Sequence, residues 1–254
     1  MSEWLVLTLA MAAACAVVLT IVVINNRRIG EDDDPNETPD VIEYMTMMIG
    51  VVYAIVLGLA IAGVWEARGA AQETVRQEAQ ALHEISARVE VWPVEVRERI
   101  RSDVDAYVAY VVDEEFPYMK EHGELGERGA ELLGKVRRSV SDYQPATDHE
   151  GQAYQPLVDL VGAADDARNA RGESAGATMP GVVWFGLITG ALVAVGLIFT
   201  LQIRRTGREL LLAGLYSALI AFLLFLIWDF DAPFGRGLSA TAGPFSSLFP
   251  QVTG

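Results

Sequence analysis

Four long stretches of this sequence contain no charged side chain, and each is long enough to cross a lipid bilayer as a helix. A hydrocarbon core of about 30 Å requires about 20 apolar residues in a helix. The charge-free stretches are Trp4–Ile24, Thr46–Trp65, Gly181–Ile203 and Leu210–Trp228. Core helices of soluble proteins rarely stay uncharged over such lengths, and 52% of all residues in this chain are hydrophobic. These observations predict an all-α integral membrane protein with four transmembrane helices.

The first apolar stretch begins close to the N-terminus, where a cleaved secretory signal is the alternative. Such a signal carries basic residues ahead of a short apolar region, whereas residues 1–4 contain no Lys or Arg. The chain also remains apolar after Cys15, where a processed lipoprotein would become polar. We therefore expect the first stretch to be retained as a helix. Cys15 is the only cysteine, so the chain cannot form an intramolecular disulfide.

A polar region separates the second and third apolar stretches, and its apolar residues recur at helical spacing. Four such stripes begin at Val75, Ile100, Leu132 and Tyr154. They predict three or four helices packed as an extramembrane bundle. No proline follows Trp65 until Pro93, so we expect the second span to continue out of the membrane as one helix. We expect Pro117 to end the second helix of the bundle, because proline disrupts a helix interior.

These features predict four segments along the chain. Residues 1–65 contain two transmembrane helices and an acidic connecting loop, and residues 66–179 form the helical domain. Residues 180–229 contain two further transmembrane helices, and residues 230–254 form an interfacial tail. Phe234, Phe245 and Phe249 in that tail are interpreted as an aromatic belt at the membrane surface.

Span parity places the helical domain and both chain termini on one side of the membrane. Glu66, Arg68, Asp229 and Asp231 lie on that same side, whichever way the protein is inserted. Short loops rich in Lys and Arg stay in the cytoplasm, and the turn Arg204–Arg208 between the last two spans is strongly basic. This turn predicts an extracytoplasmic helical domain. The arginines at both ends of the domain favour the opposite orientation.

Asp229 and Asp231 follow the last apolar stretch directly and are candidates for the mouth of a pore. Rings of carboxylates select cations in channels, and symmetric assembly would repeat each residue around an axis. Glu66 is expected beside them, with Arg68, Arg168 and Arg171 as pairing partners. The alternative is that the two aspartates only end a helix at the headgroup boundary.

Motifs for catalysis, metal binding and nucleic-acid binding are absent from the sequence. It contains no nucleotide-binding glycine loop and no nucleophile elbow, so we expect neither an enzyme nor a cofactor. His83, His122 and His149 lie far apart without a Glu-x-x-His pair, and we expect them to face solvent. The acidic run Glu31–Glu37 lacks the glycine and final glutamate of an EF-hand loop, so we interpret it as a solvated turn rather than a calcium site. The net charge of −15 argues against nucleic acid as a partner, since phosphate binding requires clustered Lys and Arg.

Several short motifs follow one another in a recognisable order between residues 45 and 250. They are Gly50–Ala54, Trp65–Ala67, Glu78–Ala79, Tyr110–Pro117, Arg168–Arg171 and Asp231–Gly235. Together they resemble a bacterial membrane family described as bestrophin-like. The resemblance implies a bacterial cell membrane and kinship with bestrophins, which are oligomeric anion channels. The pore and calcium-clasp motifs of bestrophins have no residue-by-residue match here, so the resemblance implies no ion-binding site.

Taken together, the sequence favours a homo-oligomeric, channel-like protein in contact with lipid and inorganic ions. The acidic residues at the proposed mouth favour cations, in contrast to the anions that bestrophins conduct. The alternative is a non-conducting scaffold or envelope sensor whose helical domain binds a partner.

Overall fold

The computed structural model of this chain describes residues 40–201, 207–236 and 241–253, and every regular element among them is a helix. The α-helices are α1 Asp40–Arg88, α2 Val94–Tyr110, α3 Phe116–His122, α4 Glu127–Ser141, α5 Asp148–Glu173, α6 Gly181–Leu201, α7 Gly207–Phe230, α8 Gly243–Leu248 and α9 Pro250–Thr253. A 3-10 turn at Val89–Val91 follows α1, and a π-helical turn at Val111–Glu115 joins α2 to α3. The first predicted span and the acidic run Glu31–Glu37 lie outside the described residues.

The chain divides into two compact units. Residues 1–65 and 179–230 form the first unit, and residues 66–178 and 231–254 form the second. The apolar segments belong to the first unit, whereas the amphipathic helices and the C-terminal residues belong to the second. Helix α1 is continuous from Asp40 to Arg88, which confirms that the second span continues beyond Trp65 as one helix.

The helices that can cross a bilayer lie in the first unit or begin there. Among the described residues, the helical stretches Tyr44–Val91 and Leu211–Phe230 are long and apolar enough to do so, and Gly181–Leu197 is a shorter apolar helix. The hydroxyl of Tyr53 on α1 donates a 2.8 Å hydrogen bond to the backbone oxygen of Leu187 on α6. One turn further along α6, Gly190 leaves room for the Tyr53 ring, since a Cβ there would lie 2.6 Å from Cε2. Small residues allow such close helix approach in membranes.

The second unit has one continuous hydrophobic core, built from the four stripes seen in the sequence. Buried members of these stripes include Val75, Leu82, Ile85, Ile100, Val104, Val108, Leu133, Val136, Val140, Leu157 and Val161. Each recurs at three or four residues on its helix, so one face of every helix is removed from water. The predicted helical bundle is therefore present in this unit.

The second helix of the bundle does not end where the sequence analysis placed its end. The π-helical turn Val111–Glu115 continues α2 into α3, and Pro117 occupies the first turn of α3. The helical path ends only at His122, where Gly123 adopts a left-handed conformation with φ of 71°. Glycine takes this conformation without steric penalty.

The C-terminal aromatic residues are buried, which corrects their interpretation as an interfacial belt. Phe234, Phe245 and Phe249 are 2%, 0% and 1% exposed and belong to the core of the second unit. The Phe116 ring packs edge-on against Phe234 and Phe245, with centroids 6.0 and 6.4 Å apart. Hydrophobic burial against the unit's own helices thus satisfies these rings without any lipid contact.

Candidate functional site

Four charged side chains meet in the interior of the second unit. Glu78 comes from α1, Glu115 ends the π-helical turn, and Arg168 and Arg171 lie one turn apart on α5. Glu78, Glu115 and Arg171 are 0% exposed, and Arg168 is 6% exposed. Charged residues are almost never buried this completely unless they are paired. We refer to these four residues as the buried ion-pair cluster.

Arg171 is the centre of this cluster. Its Nε and Nη2 donate to the two carboxylate oxygens of Glu78 at 2.7 and 3.1 Å, which is a bidentate arrangement. Its Nη2 also donates to Oε2 of Glu115 at 2.7 Å. Its Nη1 contacts the sulfur of Met119 at 2.9 Å, and the guanidinium carbon lies 5.4 Å from the centroid of the Phe116 ring. One guanidinium therefore links two carboxylates that belong to different helical elements.

Arg168 completes the charge balance of the cluster. Its Nη2 donates to Oε1 of Glu115 at 2.6 Å and to the backbone oxygen of Gly126 at 2.9 Å. Its Nε is buried and has no hydrogen-bond partner among the described residues. Two carboxylates thus face two guanidiniums, so the cluster is formally neutral. Pairing of this kind compensates for the desolvation of four charges.

Tyr107 extends the cluster through a hydrogen bond from its hydroxyl to Oε1 of Glu78. Burial and the nearby Glu78 charge raise the pKa of Tyr107 well above its ordinary value. Burial by itself would lower the pKa of Arg171, but the combined effects of Glu78, Tyr107 and Glu115 outweigh burial, and the net shift of this pKa is upward. Tyr107 therefore stays a neutral donor and Arg171 stays charged at physiological pH.

The backbone around Glu115 is shaped to admit its carboxylate. The π-helical turn has a wider ring of hydrogen bonds than an α-helix and re-aims the residues that follow it, and such turns are frequent at functional sites. Gly129 on α4 lies against the cluster, where a Cβ would meet Oε1 of Glu115 and would lie 2.6 Å from Nη2 of Arg168. A side chain at this position is therefore incompatible with the observed ion pairs.

Two interrupted apolar stripes in the sequence are a signal for this cluster. Glu78 lies three residues after Val75 and four before Leu82, so it interrupts an apolar stripe. Glu115 likewise lies four residues after the buried Val111. A charged residue on a buried stripe requires a partner, and in the structure Arg168 and Arg171 are those partners. Of the acidic residues next to Pro117, only Asp113 and Glu114 are exposed.

The sequence-derived pore-mouth candidates occupy different environments. Asp229 lies in the last turn of α7 in the first unit and is 5% exposed. Asp231 lies in the second unit and is 3% exposed, and Thr178 donates to its backbone oxygen at 2.9 Å and to its Oδ1 at 3.2 Å. Glu66 is exposed and Arg68 is half-buried. Arg168 and Arg171, expected as partners of these acids, bind Glu78 and Glu115.

The three histidines are exposed, as the sequence predicted. Within the described ranges, no group of three or more His, Cys, Asp or Glu side chains is placed to hold a metal ion.

All four residues of the buried ion-pair cluster lie inside the motifs that carried the resemblance stated above. Glu78 belongs to Glu78–Ala79, Glu115 and Phe116 belong to Tyr110–Pro117, and both arginines belong to Arg168–Arg171. Phe234, which packs on Phe116, belongs to Asp231–Gly235. Motifs that are distant in sequence therefore converge on one region of the second unit.

Comparison with solved structures shows what this fold resembles. A bacterial bestrophin homologue from Klebsiella pneumoniae matches with a TM-score of 0.70 at 10% identity, over 97% of this chain and 98% of that one. A single-substitution variant of that homologue matches with a TM-score of 0.68 at 12% identity, over 96% of this chain and 95% of that one. At such identities the likeness concerns the fold alone.

Comparison at the level of sequence identifies the family. No curated protein matches the chain. A family model described as the bestrophin-like domain matches residues 12–245. Because this match spans most of the sequence, the chain belongs to the bestrophin-like family.

Proposed function

We propose that this protein is a subunit of an oligomeric ion channel in a bacterial cell membrane. Membership of the bestrophin-like family across residues 12–245 carries the proposal, because known bestrophins are ion channels. The apolar surfaces of the first unit support it. Large hydrophobic side chains on α1, α6 and α7 remain exposed within one chain, among them Leu59 at 69%, Phe185 at 72% and Leu212 at 65%. Such surfaces require lipid or neighbouring subunits to cover them.

We further propose four spans per subunit, with the helical domain on the extracytoplasmic side. The uncharged stretches Trp4–Ile24 and Gly181–Ile203 supply the first and third spans, in addition to those in α1 and α7. The basic turn Arg204–Arg208 is assigned to the cytoplasm.

In this proposal, the carboxylates that follow the apolar segments shape the electrostatic potential at the mouth of the pore. Glu66 is exposed, whereas Asp229 and Asp231 are 5% and 3% exposed within one chain and act through their charge. Symmetric assembly repeats Asp229, Asp231 and Glu66 around the axis, and rings of negative charge raise the local concentration of cations. Arg68 moderates this negative potential. Arg171 acts differently, because its side chain is fully buried and its charge is taken up by Glu78 and Glu115. Its contribution is to hold the helical domain together.

The experiment that tests the proposal is ion flux through purified protein in liposomes. Parent protein, Asp229→Asn and empty liposomes are compared under an imposed potassium chloride gradient. Glu131→Gln serves as the matched control, since it also removes one negative charge per subunit but changes an exposed residue on α4. We expect flux with the parent and the control, and a lower cation flux with Asp229→Asn.

Two results would count against parts of this proposal. Equal flux and equal selectivity of the parent and Asp229→Asn would remove that carboxylate from the mechanism. A particle without a central symmetry axis, together with no flux, would favour a non-conducting scaffold that binds a partner through its helical domain.

A further inference from the structure

A cleft on the second unit lies apart from the buried ion-pair cluster. A cavity of about 540 Å³ is bounded by α1, α5 and the C-terminal helix α8, with Leu160, Ala163 and Leu248 in its wall. A second cavity of about 290 Å³ adjoins it, and both share His83 and Leu248. The larger volume lies within the range of small-molecule sites, roughly 300–1,000 Å³. We refer to the two cavities together as the His83 cleft.

The smaller end of the His83 cleft is lined by polar groups whose hydrogen-bonding capacity or charge is only partly satisfied. The Ser86 hydroxyl oxygen is buried without a hydrogen bond to any described residue. Asp105 is partly buried, and no Lys, Arg or His among the described residues lies within ion-pair distance of its carboxylate. Burial raises the pKa of Asp105, although hydrogen bonding from Gln251 and the charge of Arg101 act in the opposite direction. The negative charge of this carboxylate is thus incompletely compensated.

The other charged groups at the cleft are already engaged. Arg101 donates from Nη2 to Glu90 at 2.6 Å and from Nε to the backbone oxygen of Ser86 at 3.0 Å. Glu84 pairs with Arg88 at 2.6 Å. The His83 ring packs edge-on against Phe249, with centroids 5.9 Å apart. Asp105 is hydrogen-bonded by Gln251 but forms no ion pair with any described residue, so it is the charge at the cleft that a cationic group could pair with.

We propose that the His83 cleft binds a small amphiphilic amine. The ammonium group occupies the smaller cavity, where it donates to the Asp105 carboxylate. The apolar body lies along Leu248 and Leu160 in the larger cavity, which is lined mainly by apolar surface. A charge-assisted hydrogen bond at one end and hydrophobic burial at the other define this class of ligand.

Calorimetric titration of the full chain in nanodiscs of zwitterionic lipid tests the proposal without detergent and without any measurement of flux. The probes are hexylamine, hexanol and hexanoate, which share an apolar body and differ in the head group. Empty nanodiscs correct for partition into lipid. Asp105→Asn removes the proposed partner, and Glu95→Gln removes an exposed charge from the same helix α2 as a control. Ala87→Phe fills the smaller cavity and leaves Asp105 in place.

We expect saturable binding of hexylamine to the parent and to Glu95→Gln. The parent should bind hexanol and hexanoate at least about tenfold more weakly than hexylamine. Asp105→Asn should bind hexylamine more weakly than the parent by a similar factor. A hydrogen bond to a charged group contributes about that much. Ala87→Phe should abolish binding. Equal affinity for the three probes, unchanged affinity of Asp105→Asn, or no saturable binding of hexylamine would each overturn the proposal. Hexylamine would also show no saturable binding if a second copy of the chain covered the cleft.

Discussion

Arg171 binds both carboxylate oxygens of Glu78, although the two residues lie on helices far apart in sequence and neither side chain reaches solvent. The same guanidinium binds Glu115. The relationship connects α1, which also contains an apolar segment able to cross a bilayer, to α5 and to the π-helical turn. Loss of the ion pairs of Arg171 should therefore lower the stability of the whole second unit.

Breaking the pair between Arg171 and Glu78 should strongly destabilise the protein. Arg171→Met leaves Glu78 and Glu115 buried without their shared donor, and the loss of one partner of a buried pair costs about 3–5 kcal/mol. Arg76→Met removes the exposed pair with Glu73 and should cost less than about 1 kcal/mol. Denaturant titration of both purified variants measures the difference. Similar free energies of unfolding would show that the cluster does not stabilise the fold.

A methyl group at Gly129 should disturb the same cluster from α4. In Gly129→Ala, the new Cβ would lie 2.6 Å from Nη2 of Arg168 and would also meet Glu115, so we expect a loss of about 1–3 kcal/mol. Gly162→Ala on α5 is the control, because no atom lies within 4 Å of its Cβ position. Alanine is the better helix former by about 0.5–1 kcal/mol, so the control should be slightly more stable than the parent. Equal unfolding midpoints would contradict the geometry around Glu115.

The contact between Tyr53 and α6 predicts that alanine is tolerated at one glycine of α6 and destabilising at another. Gly190→Ala places a Cβ 2.6 Å from the rigid Tyr53 ring, whereas Gly186→Ala on the same helix meets no atom within 4 Å. We expect the first variant to lower the thermal unfolding temperature of the protein in detergent and the second to leave it nearly unchanged. The contact would be refuted by identical unfolding temperatures.

Stability should decrease at alkaline pH because of Tyr107. Its pKa is higher in the folded protein than in the unfolded chain, where a tyrosine titrates near 10. Above about pH 10 the unfolded state loses this proton and the folded state retains it, so the free energy of unfolding falls by at most about 1.4 kcal/mol per pH unit for this group. Below pH 10, Tyr107 is protonated in both states, and its stabilising contribution is fully present.

Unfolding titrations between pH 9 and 11.5 test this contribution with two phenylalanine variants. Tyr107→Phe should show a shallower decline than the parent, because the titrating hydroxyl is absent. Tyr154→Phe is the control, since that exposed hydroxyl reaches only a backbone oxygen at 3.4 Å. The same slope in Tyr107→Phe and the parent would exclude Tyr107 as the source.

The apolar pattern predicted the helices well, because burial of one helix face is a local, periodic property. The stripes through Val75 and Ile100 are buried as expected, and α1 continues past Trp65 without interruption. The end of a helix was harder to predict. Pro117 marks no helix end, since a π-helical turn places it in a first turn.

The partners of charged residues were not predictable from local pattern. The sequence predicts Arg168 and Arg171 as partners of Asp229, Asp231 and Glu66, and this assignment depends only on expected membrane sidedness. Their actual partners depend on which helices pack together, which sequence spacing does not specify. The buried Phe245 illustrates the same limit, because an aromatic residue beside turn residues suits a membrane surface and a domain core equally well.

The reversal potential of reconstituted protein in a planar bilayer under a potassium chloride gradient tests the channel proposal most directly. With acidic residues at the mouth, we expect a current whose reversal potential lies close to the equilibrium potential of potassium and moves toward zero in Asp229→Asn. A reversal potential near that of chloride would contradict the acidic mouth. The absence of any current above that of protein-free bilayers would contradict the channel itself.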